Sequence, residues 1–381
     1  MKKVVVIVLL FTNAIFAQKR ELGKVTVEEL KEKECPADSS AAAAVLFNIG
    51  EVRFEFLEGK GFVMKTRVRT KIKIYKKEAY ELANKSVRYY IGNNVKERLN
   101  FKDAATYNLV DGKVEKSKLK SDGEFKEELS RYYDNYKIVM PNVKEGSIIE
   151  FQYTIKSKRI AEMKDWYFQS DLPVNYSEFK TSVPEYFVYK SNQRGFLFPK
   201  VVFEKNPKTV AVNYRLENSN SGSYHRNPAS SFGGYKFSFL ELKTVYTAFD
   251  LPAMKEEGFV NNINNYISAV SHELESVQYP NTPLELYSTD WKSVTKTIHD
   301  DSDFGQELEK TNYFESDLNL ILKGLTTNEE KIIAVFNFVK TKVKWDNSFG
   351  IFCSSGVKKA YTDKTGNVAE INLMLTSMLR Y

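Results

Sequence analysis

The sequence predicts an α+β multidomain fold, an N-terminal antiparallel β-sandwich followed by a partial helical segment, and three observations carry that expectation. The chain has 381 residues, 42% of them hydrophobic, and at roughly 100–200 residues per domain this length suggests two or three domains. Short apolar or alternating runs recur between turn signals from about Val52 to Val277, as the strands of an antiparallel sheet require. After about Tyr287 the apolar period changes from two to helical,. The expected boundaries are 1–17 for a signal peptide, 18–285 for the sandwich and 286–381 for the helical segment.

The first seventeen residues set the expected compartment. Lys2 and Lys3 precede the apolar run Val4 to Phe11, and Asn13-Ala14-Ile15-Phe16-Ala17 supplies a small residue before Gln18. Basic, then apolar, then small is the order of a secretory signal peptide, and the run is too short to span a bilayer. No cysteine sits where a lipid anchor would attach, since Cys35 lies well beyond Ala17. No later segment has the roughly 18 uninterrupted apolar residues of a spanning helix. The expectation is therefore a secreted or periplasmic protein that is not a lipoprotein.

Charge and cysteine content exclude several function classes. The formal charge is +7, of which Lys2 and Lys3 contribute two units, and so modest a balance over a long exported chain argues against nucleic-acid binding. Cys35 and Cys353 are the two cysteines, too few for a disulfide framework or a paired C-x-x-C zinc site. An oxidising compartment permits a bridge between them. His225, His272 and His299 are too far apart to form a local ligand motif. Neither a metal nor a cofactor is expected.

Within the β-rich part, strand-like runs cover Val52 to Leu57, Phe62 to Tyr75, Ile148 to Ile155, Trp166 to Gln169, Glu185 to Tyr189, Val210 to Leu216 and Tyr235 to Phe249. Turn signals include Glu58-Gly59-Lys60-Gly61, Asp111-Gly112 and Glu145-Gly146,. The clearest run is Phe62 to Tyr75. There Met64, Thr66, Val68, Thr70, Ile72 and Ile74 alternate with Lys65, Arg67, Arg69, Lys71 and Lys73, so strand geometry puts five cations on one face. That row is either a platform for an anionic polymer or the face of a sheet whose neighbouring strands carry offsetting acids. Asn218 to Gly234, rich in Ser, Gly and Asn, reads as a long loop.

In the helical segment, Asp290 to His299 and Phe304 to Lys310 read as helices, with Asp303 and Gln306 at capping-box spacing,. The acidic run Asp300, Asp301 and Asp303 fails as a calcium loop, because Gly305 holds the third alternating position and Asn312 stands where position twelve needs glutamate,. A second capping box, Thr327 and Glu330, precedes an apolar stripe of Ile332, Val335, Phe336, Val339 and Val343,. A last helix opens near Asn367, with Val368, Ile371, Leu375, Met378 and Leu379 near one face. The pattern stops at Tyr381 without a glycine or proline stop, which reads as a fragment or a truncated product,.

The stretch Thr327 to Tyr381, a helix, a Val-Lys-Trp segment, a loop and a Gly-x-x-x-Glu helix entry, resembles the opening of a transglutaminase-like, papain-related domain. The larger chain, with Trp166-Tyr167-Phe168-Gln169, Leu172-Pro173-Val174 and Leu251-Pro252-Ala253-Met254-Lys255-Glu256-Glu257, resembles bacteroidete envelope proteins that carry the domain of unknown function 3857. The resemblance implies a β-sandwich ahead of a transglutaminase-like core. In that superfamily a cysteine sits at the first turn of a helix, where free N–H groups and the dipole favour its thiolate, and a downstream histidine and acid complete the set.

At the matching positions this sequence reads Gly366-Asn367-Val368-Ala369-Glu370. Val368 holds the nucleophile position and has no nucleophilic atom, and neither His nor Asp follows Glu370. Asn367 with Glu370 instead forms a capping box. Cys353, in Gly350-Ile351-Phe352-Cys353-Ser354-Ser355-Gly356, is the alternative nucleophile. Glycine fingerprints, Gly-x-Ser-x-Gly and His-Glu-x-x-His are all absent from the sequence,. The pair Glu256-Glu257 could act as acid and base in a glycosidase, but adjacent carboxylates are common in loops and their separation in space is not readable from sequence,. The expectation is a non-catalytic binding or scaffold protein of the envelope, its partner an envelope protein or an anionic polysaccharide. The alternative is a cysteine hydrolase or transglutaminase-related enzyme whose remaining residues lie beyond this fragment.

Overall fold

The computed structural model describes residues 20–92, 95–216, 231–287 and 290–381. The expected signal peptide, His225 and residues 218–230 of the expected loop lie outside them. The chain is mixed α+β and dominated by strands. Its largest element is an eight-stranded sheet in the spatial order β12 (Lys200–Leu216), β13 (Ser231–Leu251), β10 (Val174–Pro184), β1 (Ala43–Leu57), β2 (Gly61–Ile74), β8 (Ile148–Ser157), β4 (Arg98–Val110) and β5 (Lys113–Lys118). All its pairings are antiparallel except β1 with β10, which run parallel. Because β13 begins at Ser231, Gly233 and Gly234 belong to a strand and the expected loop is shorter than its composition suggested.

Two smaller sheets pack on one face of the large one. The first is β3 (Asn84–Tyr90), β7 (Tyr133–Val139) and β6 (Glu124–Ser130); the second is β11 (Phe187–Arg194), β14 (Ala269–Val277) and β15 (Glu285–Leu286), with β9 (Trp166–Tyr167) paired to β14. Aromatic rings join the layers. Phe54 stacks on Phe187 at 5.0 Å, Trp166 on Phe179 at 5.2 Å, and Phe101 meets Tyr136 edge-on at 5.4 Å. Val52, Val68, Ile138, Phe151 and Leu274 join these rings in one apolar core. Aromatic pairs of this kind add about 0.5–1.5 kcal/mol each beyond the area they bury.

The expected turns fall where their residue types demand. Asp111 and Gly112 both have positive φ, 48° and 74°, and connect Val110 to its partner Lys113 as a two-residue hairpin,. Gly50, on β1, lies directly under Trp166. A Cβ there would come within 2.8 Å of Phe179 Cδ2 and closer still to the indole. Gly50→Ala is therefore expected to cost about 1–3 kcal/mol through overpacking and to shift the emission of Trp166. A variant with the wild-type urea midpoint and spectrum would show that the ring has room to move.

After β15 the elements are mainly helical: α2 (Trp291–Asp300), α3 (Gly305–Leu308), α4 (Glu315–Ile321), α5 (Asn328–Lys342), α6 (Val357–Asp363) and α7 (Val368–Arg380). Phe314, Leu318, Val335, Val339, Val343, Tyr361, Met374 and Met378 form their core. Two expectations shift here. On α5 only the row Val335, Val339, Val343 is buried, whereas Ile332 and Phe336 are exposed. On α7 the buried face is Ala369, Glu370, Leu373, Met374, Ser377 and Met378, with Leu379 exposed, because Glu370 turns inward to bind a loop and carries its helical neighbours with it.

Asp303 is not a helix cap. α3 opens at Gly305 without a side-chain cap, and the Asp303 carboxylate accepts from the Tyr132 hydroxyl and pairs with Arg131 at the turn between β6 and β7. That contact ties the helical part to a small sheet. Among the described residues no helix is long and apolar enough to cross a membrane.

Candidate functional site

The entry to α7 is where the sequence resemblance places the expected degenerate motif, Gly366, Val368 and Glu370. Two short parallel strands, β16 (Lys344–Trp345) and β17 (Thr365–Gly366), bring Trp345 beside Gly366. Gly366 has no room for a side chain: a Cβ would lie 2.9 Å from the Ala360 Cβ and 3.0 Å from Glu370 Oε2. Asn367 caps α7, its side chain accepting from Glu370 N–H at 2.9 Å while Glu370 Oε2 accepts from Asn367 N–H at 2.9 Å. The capping box is present as expected. Val368 occupies the first helical position, partly buried, and its N–H donates to Ser348 O at 3.3 Å.

The carboxylate of Glu370 does more than cap. Its Oε1 accepts from Ser355 N–H and, at 3.0 Å, from Gly356 N–H. Asn367 Nδ2 donates to Phe352 O at 2.9 Å and Ser354 Oγ at 3.1 Å. From the opposite side Glu307 accepts from Val357 N–H at 3.0 Å and from Lys310 Nζ at 2.7 Å. Residues 352–357 are thus held by three buried polar side chains, and the Gly356 and Val357 N–H groups that the two carboxylates satisfy are buried,. Glu307 has no local sequence signal as a partner of this loop, because the N–H it accepts from, that of Val357, lies fifty residues away.

Cys353 lies in the middle of that loop and is 1% exposed. Burial, with the negative charges of Glu307 and Glu370, pushes its thiol up to about 12. A reactive cysteine needs the opposite surroundings, electropositive and partly open. The charged groups that act on it are Glu307, Glu370, Lys310 and Arg131, and no histidine is among them. His272 sits in the β core against Phe179 and Tyr246, where burial holds its imidazole down at about 4. His299 is exposed on α2 beside Asp300. Cys35 and Cys353 are both free and buried in separate apolar clusters. Among the described residues no three His, Cys, Asp or Glu converge as a metal site.

The cationic row of β2 lies on one face as its alternation predicts, but it is engaged by acids. Lys65 pairs with Glu55 at 3.0 Å and Arg67 with Glu51 across β1. Lys71 Nζ pairs with Glu29 at 2.8 Å and lies 3.8 Å from Glu150, its register partner on β8. Lys73, 0% exposed, donates to Leu30 O at 2.9 Å and Gly146 O at 2.8 Å. Burial lowers its ammonium to about 8. Arg69 is partly buried beside Gln152. The cover is the segment around α1 (Val27–Lys31), which lays Glu29 and the Leu30 carbonyl over this end of the strand. Acids thus engage Lys65, Arg67 and Lys71, and carbonyls engage Lys73.

Comparison with known proteins bears on the fold. A crystal structure of a protein from Parabacteroides distasonis ATCC 8503, described as a candidate protease, superposes with a TM-score of 0.57 at 14% identity, covering 89% of this chain and 58% of that one. The likeness shows a shared fold, and this chain spans 58% of that protein's length. A yeast LTA4 hydrolase bound to bestatin overlaps at a TM-score of 0.21 and 12% identity, over 67% of this chain and 33% of that one, too slight to carry an argument. No curated protein matches the sequence. The segments Trp166–Gln169 and Leu172–Val174 fall inside the one stretch that does match a family, and Leu251–Glu257 falls beyond it. Residues 63–221 match the model of the family described as Domain of Unknown Function with solved-structure structure (DUF3857), which supports that family for the β-rich part of the chain.

Proposed function

We propose that this chain is an exported, non-catalytic binding or scaffold protein of the cell envelope. In this reading a β-sandwich built from the large sheet and its two smaller partners precedes a degenerate transglutaminase-like segment. The observation that carries it is the α7 entry. The first helical position, where the superfamily places its nucleophile, holds Val368, and the nearby thiol of Cys353 is buried between two carboxylates with its ionisation suppressed. Export rests on the order of the first seventeen residues. The partner class is an envelope protein or an anionic polysaccharide, and the neutralised β2 row favours the former.

The purified protein is expected to show no amide hydrolysis or transfer, and Cys353 is expected to resist iodoacetamide at pH 7.5 until urea unfolds the chain. The pH dependence has a definite sign. A thiol raised in the folded state stabilises it below the unfolded value near 9 and loses that contribution as pH climbs from about 9 to about 12,. Turnover that disappears in Cys353→Ala, or rapid labelling of the native thiol, would overturn the non-catalytic reading in favour of a cysteine enzyme.

A further inference from the structure

β3 of one small sheet and β9 of the other both border an opening over the large sheet. Between them lies a cleft of about 550 Å³, inside the range of roughly 300–1,000 Å³ typical of small-molecule sites. Its floor is the inner face of β2 and β8, with Val68, Ile72 and Phe151, and one wall is Trp166 at the edge of the second small sheet. A gap of this kind between packed layers would ordinarily be closed by apolar side chains. Here polar groups line it as well.

Two of those polar groups lack partners. Lys85 alternates with Val87 and Tyr89, both buried, and so belongs to the inward face of β3,. Among the described residues no carboxylate or carbonyl engages its ammonium, and burial alone holds it below the usual lysine range. The two buried lysines among the described residues are provided for: Lys71 by Glu29 and Lys73 by two carbonyls. The second group is the Tyr153 hydroxyl on the cleft floor. It too has no hydrogen-bond partner among the described residues, and burial alone pushes it up to about 12. Both residues are partly buried on the cleft lining, and neither polar atom is among the fully buried unpartnered ones of the described residues, so both donors are open to the cleft and free to meet a ligand oxygen there.

We propose that this cleft binds a linear amphiphile with a carboxylate head, its hydrocarbon body against Val68, Ile72, Phe151 and Trp166 and its head group accepting from Lys85 and Tyr153. A single ammonium with a single hydroxyl suits a monoanion. Glu81 and Asp171, exposed on the lining, disfavour a phosphate or any head of higher charge, whereas Asp165 is already paired with Arg194 at 2.7 Å. The inference deepens the binding reading by naming a ligand class. Its failure is separable from failure of the non-catalytic reading, because turnover at Cys353 is measured in the helical part and leaves the cleft unaltered.

The test is calorimetric titration of the full chain with dodecanoate and with dodecanol, which share an apolar body and differ in the head. Dodecanoate is expected to bind at least tenfold more tightly than dodecanol. Lys85→Met should abolish that preference while keeping dodecanol binding, which also reports that the variant is folded, and Tyr153→Phe should reduce it. Equal binding of the two ligands by the wild type, or no binding of either, overturns the proposal without reference to any variant. An undiminished preference in both Lys85→Met and Tyr153→Phe overturns it as well.

Discussion

Glu370→Ala is expected to melt the helical part of the chain well before the β-rich part. The wild-type carboxylate accepts from three backbone N–H groups, those of Ser355, Gly356 and Asn367, and is 2% exposed. Truncation leaves the buried Gly356 and Asn367 donors without this acceptor, whereas Ser355 is exposed. At about 1–3 kcal/mol for each buried group left unpaired, the loss should be at least about 2 kcal/mol, toward the upper end of what single substitutions do. It should appear in urea as an early transition at Trp345, which neighbours Gly366 through the β16–β17 pair. Glu370→Gln retains one acceptor oxygen and should lose less, which separates hydrogen bonding from side-chain volume. A Glu370→Ala midpoint within the error of the wild type would mean that the loop at 352–357 closes without this carboxylate. The motif position would then need an explanation other than architecture.

What was legible in the sequence follows the range of the interaction involved. The turn at Asp111-Gly112 and the caps Thr327/Glu330 and Asn367/Glu370 are made by residues at most three apart, and each was readable from residue type and spacing. The alternation of β2 was readable for the same reason. What covers each of its faces was not, since the lid over Lys71 and Lys73 comes from Glu29 and Leu30, more than forty residues upstream. The parallel partner of β1 is β10, more than a hundred residues on, and its run Val174–Pro184, with Ser, Glu, Lys and Thr among the apolar residues, carried no strong strand signal. At the candidate site, the valine at position 368, at the start of α7, was plain from the sequence. The burial of Cys353 between Glu307 and Glu370 required the fold. The inward lysine at position 85 had one faint sign, a period-two pattern with Val87 and Tyr89 that places a cation on an apolar face.

Lys71→Met is expected to destabilise the β-rich part by about 3–5 kcal/mol, the cost of removing one partner from a buried ion pair. Lys71 is 3% exposed and Glu150 is 0% exposed. Glu150 Oε2 accepts from Gly23 N–H at 2.7 Å, but Oε1 has no hydrogen-bond partner among the described residues, and the Lys71 ammonium 3.8 Å away is the nearest cation that compensates it, with Tyr107 and Lys116 adding to the effect. Without Lys71 the carboxylate must either stay ionised in a dry site or take up a proton. Burial already holds Glu150 above the ordinary carboxylate value of 4.5, and loss of the cation raises it further. A carboxyl raised in the folded state favours folding below its unfolded value and ceases to do so as pH rises through its folded one. The variant's deficit relative to wild type should therefore be largest near pH 7.5 and shrink as pH falls toward about 5. Urea titrations of both proteins at the two pH values measure that difference. The double variant Lys71→Met/Glu150→Met should recover much of the stability at pH 7.5, since replacing both members of a buried pair with apolar groups is often neutral. A deficit that is the same at both pH values and unrelieved in the double variant would assign the effect to packing of the lysine stem. In either case the loss appears as stability, which is what a cation committed to the fold predicts and a polymer-binding platform does not.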